Sequence, residues 1–291
     1  MTATLDALTT VITVGINKGG VGKTSLVGNM GGLLAKLGYS VLIVNTDPQD
    51  NLGEDLGYTH RGESDDGASL MAALLGQGGL QPLREVRPGL DVVAGGRAIR
   101  PLFRPGGPIL DPAALEEALL PIAEDYDFIL IDTPPSVGPM SVQALTAARW
   151  LLVPTRIDSS SKKGITGLAE DIREARQENP DLGMLGVVLF GVAANATRMD
   201  RETRQDLQRR LGGIAPVFER AIRHANGVAR DSRELGLLAH EMTDFRGANW
   251  QRQMRDGNSI SDATNVAGDY LEVAKEMLAR IIDAQSQPEE S

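Results

Sequence analysis

Short runs of aliphatic and β-branched residues alternate along the chain with segments whose apolar positions recur every three or four residues. Val11–Ile16, Ser40–Asn45, Leu90–Ala94, Phe128–Asp132, Trp150–Pro154 and Leu185–Val192 have the length and composition of strands buried on both faces. Thr24–Leu37, Pro112–Asp125, Pro139–Ala148, Gly164–Asn179, Arg201–Leu211 and Ser261–Ala284 carry the helical period. Strands alternating with helices predict an α/β protein, with a doubly wound, mostly parallel sheet flanked by helices. No repeat or strong linker divides the pattern, so residues 1–291 are expected to form one domain with flexible ends at 1–10 and 285–291. Gly53–Gly67 and Arg97–Pro108 lack either period and are expected to be surface loops.

The C-terminal helix carries Tyr270, Leu271, Val273, Ala274, Met277, Leu278, Ile281 and Ile282 on one stripe. Its polar face holds Asp269, Glu272, Glu276 and Asp283 against Lys275 and Arg280. A helix lying on a membrane surface needs a basic face, so this one is expected to dock on the core. The opening residues have no basic and apolar leader, and no window is apolar enough to span a bilayer. The expectation is a cytoplasmic protein without a membrane partner.

Composition narrows the chemistry further. The chain has no cysteine, which excludes disulfides, thiolate metal sites, iron–sulfur clusters and cysteine nucleophiles. Only 4% of residues are aromatic while 33 are glycine, a balance that suits close helix-on-sheet packing. Net charge is −10, but Arg198–Arg233 holds nine arginines against five acidic residues. This window is therefore +4 in a chain whose remainder is −14.

The first strand runs into Lys18-Gly19-Gly20-Val21-Gly22-Lys23-Thr24-Ser25, followed at once by a helix. Glycines at 19, 20 and 22 let backbone N–H groups approach an anion without Cβ interference, and the helix presents its positive end to the same place. Lys23 supplies a point charge for β- and γ-phosphates, and the Thr24 hydroxyl is placed to ligate Mg2+. The implied cofactors are ATP and Mg2+.

An ordinary phosphate loop has glycine where Asn17 stands; here the sequence instead reads KGGVGKT. This resembles the deviant Walker A P-loop NTPases, the family of ParA and MinD partition ATPases. Val41–Gln49 looks like the family's second motif, and Phe128–Pro135 looks like its Walker B strand. The resemblance implies that Lys18 reaches the nucleotide of a partner protomer, that Asp47 positions the attacking water, and that Asp132 holds Mg2+ through water. Asp47 and Thr24 stand with Asp132 as candidate metal-site residues. Where the family writes Asp-x-Asp-Pro-Gln, this chain has Asn45, which is expected to alter ion handling without abolishing hydrolysis. Asn195, just past the sixth strand, is the candidate adenine contact.

Among branches of the family, nitrogenase-reductase-like and arsenite-pump-like members need cysteines, and a MinD-like oscillator needs a basic tail helix. Pro48-Gln49 matches the partition type, and no winged-helix segment is expected before the first strand. Ile222–Ser232 resembles the segment that family members use beside nucleotide and DNA. Arg220, Arg223, Arg230 and Arg233 are thus the first candidates for DNA contact. Arg198, Arg201 and Arg204, spaced to share a helical face, are the second. No base-reading motif is present, so binding is expected to ignore sequence. The resemblance implies a ParA-like ATPase that dimerises on ATP, binds the nucleoid and is stimulated by a ParB-type centromere-binding protein. The opposing reading is a metabolic enzyme of the same fold that uses ATP to activate a carboxylate, as dethiobiotin synthetases do.

Overall fold

The computed structural model describes residues 8–15, 19–135, 138–156, 173, 176–177, 179–192, 197–211, 215–256 and 260–286, with backbone alone for 197–201, 203, 210 and 249–256. β1 (Val11–Val14) leads through the glycine-rich loop into α1 (Lys23–Lys36), and β2 (Val41–Asn45) follows. Then come α2 (Asn51–Leu56), α3 (Ala68–Leu74), β3 (Leu83–Arg87), β4 (Leu90–Val93) and a 3-10 helix at Arg97–Phe103. The second half contains α4 (Ala114–Ala123), β5 (Phe128–Asp132), α5 (Pro139–Thr146), β6 (Trp150–Arg156) and β7 (Gly183–Val192). It closes with α6 (Thr197–Leu211), β8 (Val217–Arg223), α7 (Asn226–Leu235), α8 (Ala239–Asp256) and α9 (Thr264–Ser286).

The strands form one sheet in the order β3-β4-β2-β5-β1-β6-β7-β8, parallel throughout except for β3. Alternation along each strand divides the core into two faces. Ile12, Val14, Val41, Ile43, Leu130 and Leu152 pack with Leu26, Met30 and Leu34 of α1 and with Val273 and Met277 of α9. Val11, Leu42, Val44, Ile129 and Ile131 pack on the opposite side with Leu70 of α3, Leu115 and Leu119 of α4 and Met140 of α5. The expected strands are all present. The expected helix Gly164–Asn179 lies outside the described residues except for 173, 176, 177 and 179.

Three stretches differ from the sequence expectation. Gly53–Gly67 is no open loop: α2 begins at Asn51, Gly53 is buried, and Tyr58 is fully enclosed. Arg97–Pro108 opens as a 3-10 helix whose Ile99 and Leu102 are buried. Strands β3 and β8 have no apolar run because each is a sheet edge with charged residues on its open side.

Sheet order reverses at β1, which lies between β5 and β6. In an open α/β sheet the crevice beyond the strand carboxyl ends at such a reversal is where ligands bind. Register makes the crevice floor level, because Val14 and Asn45 both stand opposite Asp132.

Candidate functional site

The loop after β1 folds tightly over the start of α1. Gly15 has φ 114°, and a Cβ there would lie 1.9 Å from Cδ of Lys23, so the lysine stem runs across its Cα. Gly22, at φ 91°, faces the Phe190 ring, which a Cβ would approach to 2.5 Å. Both positions need a left-handed backbone and a missing side chain, which only glycine supplies without strain. Lys23 is thereby held with 6% of its surface exposed. Burial lowers its pKa, while Asp132 and Asp47 draw it back up.

Asp132 ends β5 with no exposed surface, and neither carboxylate oxygen has a hydrogen-bond partner of ordinary geometry. Burial pushes its pKa up to about 7; the Asp47 charge adds to this, while the Thr24 hydroxyl and Lys23 oppose it. Unpartnered buried carboxylate oxygens are rare and point to a missing cation or donor. Asp47 follows β2, is buried, and accepts a hydrogen bond from Gln49 N at 2.8 Å. Its pKa is raised by burial, with the Gln49 N–H and then Lys23 acting against the rise.

Lys23 and Asp47 open into a cavity of about 330 Å3, whose lining does not include the fully buried Asp132. Gly20, Val21, Gly22, Lys23, Thr24 and Ser25 form one wall, with Asp47 and Thr133 beside them. Arg156, Phe190, Arg223, Arg233 and Tyr270 also line it. Phe190 and Tyr270 meet at 6.5 Å between ring centroids, giving that end an aromatic lining. Of the remaining loop candidates, Gly19 is described and exposed, whereas Lys18 and Asn195 lie outside the described residues.

The arginine candidates separate into distinct environments. Arg223 grips Asp269 through Nε at 2.6 Å and Nη2 at 2.8 Å and faces the cavity. Arg233 also lines the cavity, held by Asp55 at 3.0 Å and Glu54 at 3.3 Å. Arg204 donates to the carbonyls of Phe218 and Glu219 on β8. Arg220 is exposed on β8, and Arg230 is exposed on α7 beside Asp231. Arg198 and Arg201 are on α6, where only the backbone is described. Sequence reasoning did not single out Asp55, Arg156, Phe190 or Tyr270 for this cavity. No motif marks them, because long-range sheet order and the docking of α9 bring them there.

A glycine loop between β1 and α1, with two aspartates at the ends of neighbouring strands in a sheet that reverses at β1, defines a P-loop nucleotide-binding protein. The family model described as an AAA domain matches residues 9–92 and 107–184. The chain is 33% identical over 195 residues to the chromosome partitioning protein ParA of Myxococcus xanthus, covering 62% of this chain and 64% of that one. It is 34% identical over 181 residues to the chromosome-partitioning ATPase Soj of Thermus thermophilus, covering 59% and 65%. The chain thus spans just under two thirds of the length of these relatives. The chain belongs to the ParA/MinD-type partition ATPase family. Among solved structures, an ATP complex of Cyanothece McdA superposes with a TM-score of 0.71 at 17% identity, over 93% of this chain and 96% of that one. A cobyrinic acid a,c-diamide synthase from Mycobacterium smegmatis, with bound ADP and magnesium, gives 0.63 at 27% identity over 83% and 95%.

Proposed function

We propose that the protein is a ParA-like DNA-segregation ATPase that hydrolyses ATP to ADP and phosphate. The observation that carries this reading is the convergence of Lys23, whose stem crosses Gly15 beside Thr133, with Asp47 and Asp132 at the ends of β2 and β5, beneath the glycine loop. Backbone N–H groups of Gly20–Thr24 and the N-terminus of α1 would hold the phosphates, with Lys23 meeting the β- and γ-oxygens. Thr24 and Asp132 would hold Mg2+, Asp132 through water, with Asp47 beside them; the unpartnered oxygens of Asp132 fit that role. When bound, the ion would neutralise charge on the phosphate oxygens. Asp47 would orient the attacking water, and Lys18 would reach the nucleotide of a second protomer.

ATP-dependent dimerisation would bring two sets of arginines onto one face. Arg220, Arg230 and Arg233, all exposed, are the proposed DNA contacts in the described residues, with Arg233 and the half-buried Arg223 also lining the nucleotide cavity. Binding would be non-specific, placing the protein on the nucleoid in the cytoplasm. A ParB-type centromere-binding protein would stimulate hydrolysis and release. The names of the Myxococcus and Thermus relatives support this cargo-moving role.

The 27% identity to a cobyrinic acid a,c-diamide synthase favours a second reading, ATP-driven amidation of a carboxylate. Steady-state phosphate release decides between them. Turnover with ATP and Mg2+ alone, stimulated by DNA, is expected, and Asp47→Ala should lower kcat by about 10²-fold or more. Hydrolysis that needs cobyrinic acid and an amide donor would replace the partition reading, and unchanged turnover in Asp47→Ala would remove Asp47 from the chemistry.

A further inference from the structure

Asn45 ends β2 with no exposed surface, directly opposite Asp132 in the sheet. Its Oδ1 accepts from the backbone N–H of Asp47 at 3.0 Å, and its Nδ2 donates to Asp50 Oδ1 at 2.7 Å. The same Asp50 oxygen accepts from the Tyr58 hydroxyl at 2.6 Å. Its other oxygen is within reach of the hydroxyls of Ser64 at 3.3 Å and Thr59 at 3.4 Å. Asp50 is 9% exposed and sits at φ 51°, a left-handed backbone that residues other than glycine rarely take. A strained, buried carboxylate surrounded by neutral donors is a demanding arrangement for a connecting turn.

The arrangement fixes one amide orientation. An asparagine side chain can turn its oxygen and nitrogen end for end unless its partners differ in polarity. Here Asp50 can only accept and the Asp47 N–H can only donate, so the Asn45 amide has a single satisfied pose. Tyr58, fully enclosed, holds the Asp50 carboxylate in place from the far side. The backbone of Asp47 is therefore tied through Asn45 and Asp50 to α2 and the turn after it. Backbone packing leaves little room for an alternative, since a Cβ on Gly95 would come within 2.6 Å of Asp47 O and 2.9 Å of Asn45 Cγ.

We infer that Asn45, Asp50 and Tyr58 form a buried brace that positions Asp47 for hydrolysis. They are positioning residues, acting through the Asp47 backbone rather than touching nucleotide, and the inference rests on the water-orienting role proposed for Asp47. Asn45→Asp would set two carboxylates against each other across the 2.7 Å contact, and Asp50→Asn would remove the acceptor that fixes the amide. The double variant Asn45→Asp/Asp50→Asn exchanges donor and acceptor across the same contact, the Tyr58 hydroxyl rotating to accept.

The experiment measures kcat and KM for ATP in the wild type, both single variants, the double variant and Asp47→Ala. Each single variant is expected to lower kcat by about tenfold or more, as a small displacement of a catalytic group does, with KM changed by less than about twofold. The double variant should recover most of the loss. Thermal denaturation of the same proteins without nucleotide should show non-additive losses of Tm across the pair. Wild-type kcat in both single variants, or a double variant that is the sum of the singles in kcat and Tm, would overturn the brace. Unchanged turnover in Asp47→Ala would instead overturn the role of Asp47, while the Tm cycle still reports on the pair. If Asn45→Asp does not fold, Tyr58→Phe removes one donor to Asp50 and keeps the ring; a lowered kcat at unchanged KM is then expected, and a lowered Tm alone contradicts the inference.

Discussion

Asp132 shows most directly what the site asks of a single residue. Its carboxylate is enclosed without a hydrogen-bond partner, and its pKa is raised from the ordinary 3.8 to about 7. A carboxyl group whose pKa is higher in the folded state opposes folding wherever the unfolded chain would ionise it. Below pH about 4 it is protonated in both states and has no effect on stability. As pH rises through that range the unfolded chain ionises first, and the full penalty is present above the folded pKa. That penalty is on the order of 4 kcal/mol as an upper bound at pH 8. Asp132→Asn is therefore expected to raise the Tm of the protein without nucleotide or metal at pH 8, to leave it unchanged near pH 4, and to destroy turnover. Denaturation scans at the two pH values check this; a lower Tm at pH 8 would show that the charge is satisfied in some other way. Lys23, Thr24, Asp47 and Asp132 were legible in the sequence because loop and strand-end chemistry demands those residue types at those places. Asn45 was read there as a missing charge beside the metal. The structure ties its amide to Asp50, in a turn that lacked any period and so gave no sign of burying Tyr58.

At the scale of elements, the acidic face of α9 has a structural use. Glu276 accepts from the backbone N–H of Glu219 at 3.0 Å and of Arg220 at 3.3 Å, and Asp269 accepts from that of Arg223 at 3.0 Å. Arg280 on the same helix donates to carbonyls of β7 and β8, and Arg204 of α6 donates to two more on β8. Side chains from two helices thus cover the open polar edge that β8 would otherwise offer to another strand. Removing Glu276 as Glu276→Ala leaves two strand N–H groups and the Arg280 guanidinium short of a partner. A loss of about 1–3 kcal/mol is expected, together with concentration-dependent association. Denaturant titration and sedimentation measure both, and a variant of wild-type stability would mean that water replaces the carboxylate at no cost. The sequence showed α9 as a core-docking helix from its stripe, and Tyr270, Val273, Ala274, Met277 and Ile281 are buried, while Ile282 of the same stripe is exposed. No helix among the described residues is long and apolar enough to cross a membrane. Strands β3 and β8 were not legible, since an edge strand needs few apolar residues. Helices α7 and α8 were also missed, because polar residues dominate both.

For the whole molecule, the cavity and the arginine segment are mechanically joined. Arg233 on α7 is paired with Glu54 and Asp55 on α2, and Arg87 donates to Leu56 O at the end of α2, to Gly236 O after α7 and to Glu241 on α8. The element that follows Asp47 is therefore bolted to the helix that carries Arg230. Such a connection suits a protein in which nucleotide state sets affinity for a second ligand, a linkage that runs in both directions. The arginine-rich window indicated where arginines would gather but not that Arg223 and Arg233 would be ion-paired at the rim of the cavity, with Asp269 and with Asp55 and Glu54.

The central claim is that ATP switches this acidic chain into a DNA-binding state. It is tested most directly by equilibrium binding to DNA duplexes of unrelated sequence, with ATP, with ADP and without nucleotide, across a salt series. A monomer of net charge −10 offers only a few arginines on the proposed DNA face, and dimerisation would double them there. With about three phosphate contacts per protomer, binding under ATP should be equal for every sequence and fall roughly 10³-fold between 50 and 200 mM salt. Binding with ADP or without nucleotide should be undetectable in the same range. Tight binding without nucleotide, or none with ATP at low salt, would contradict the account.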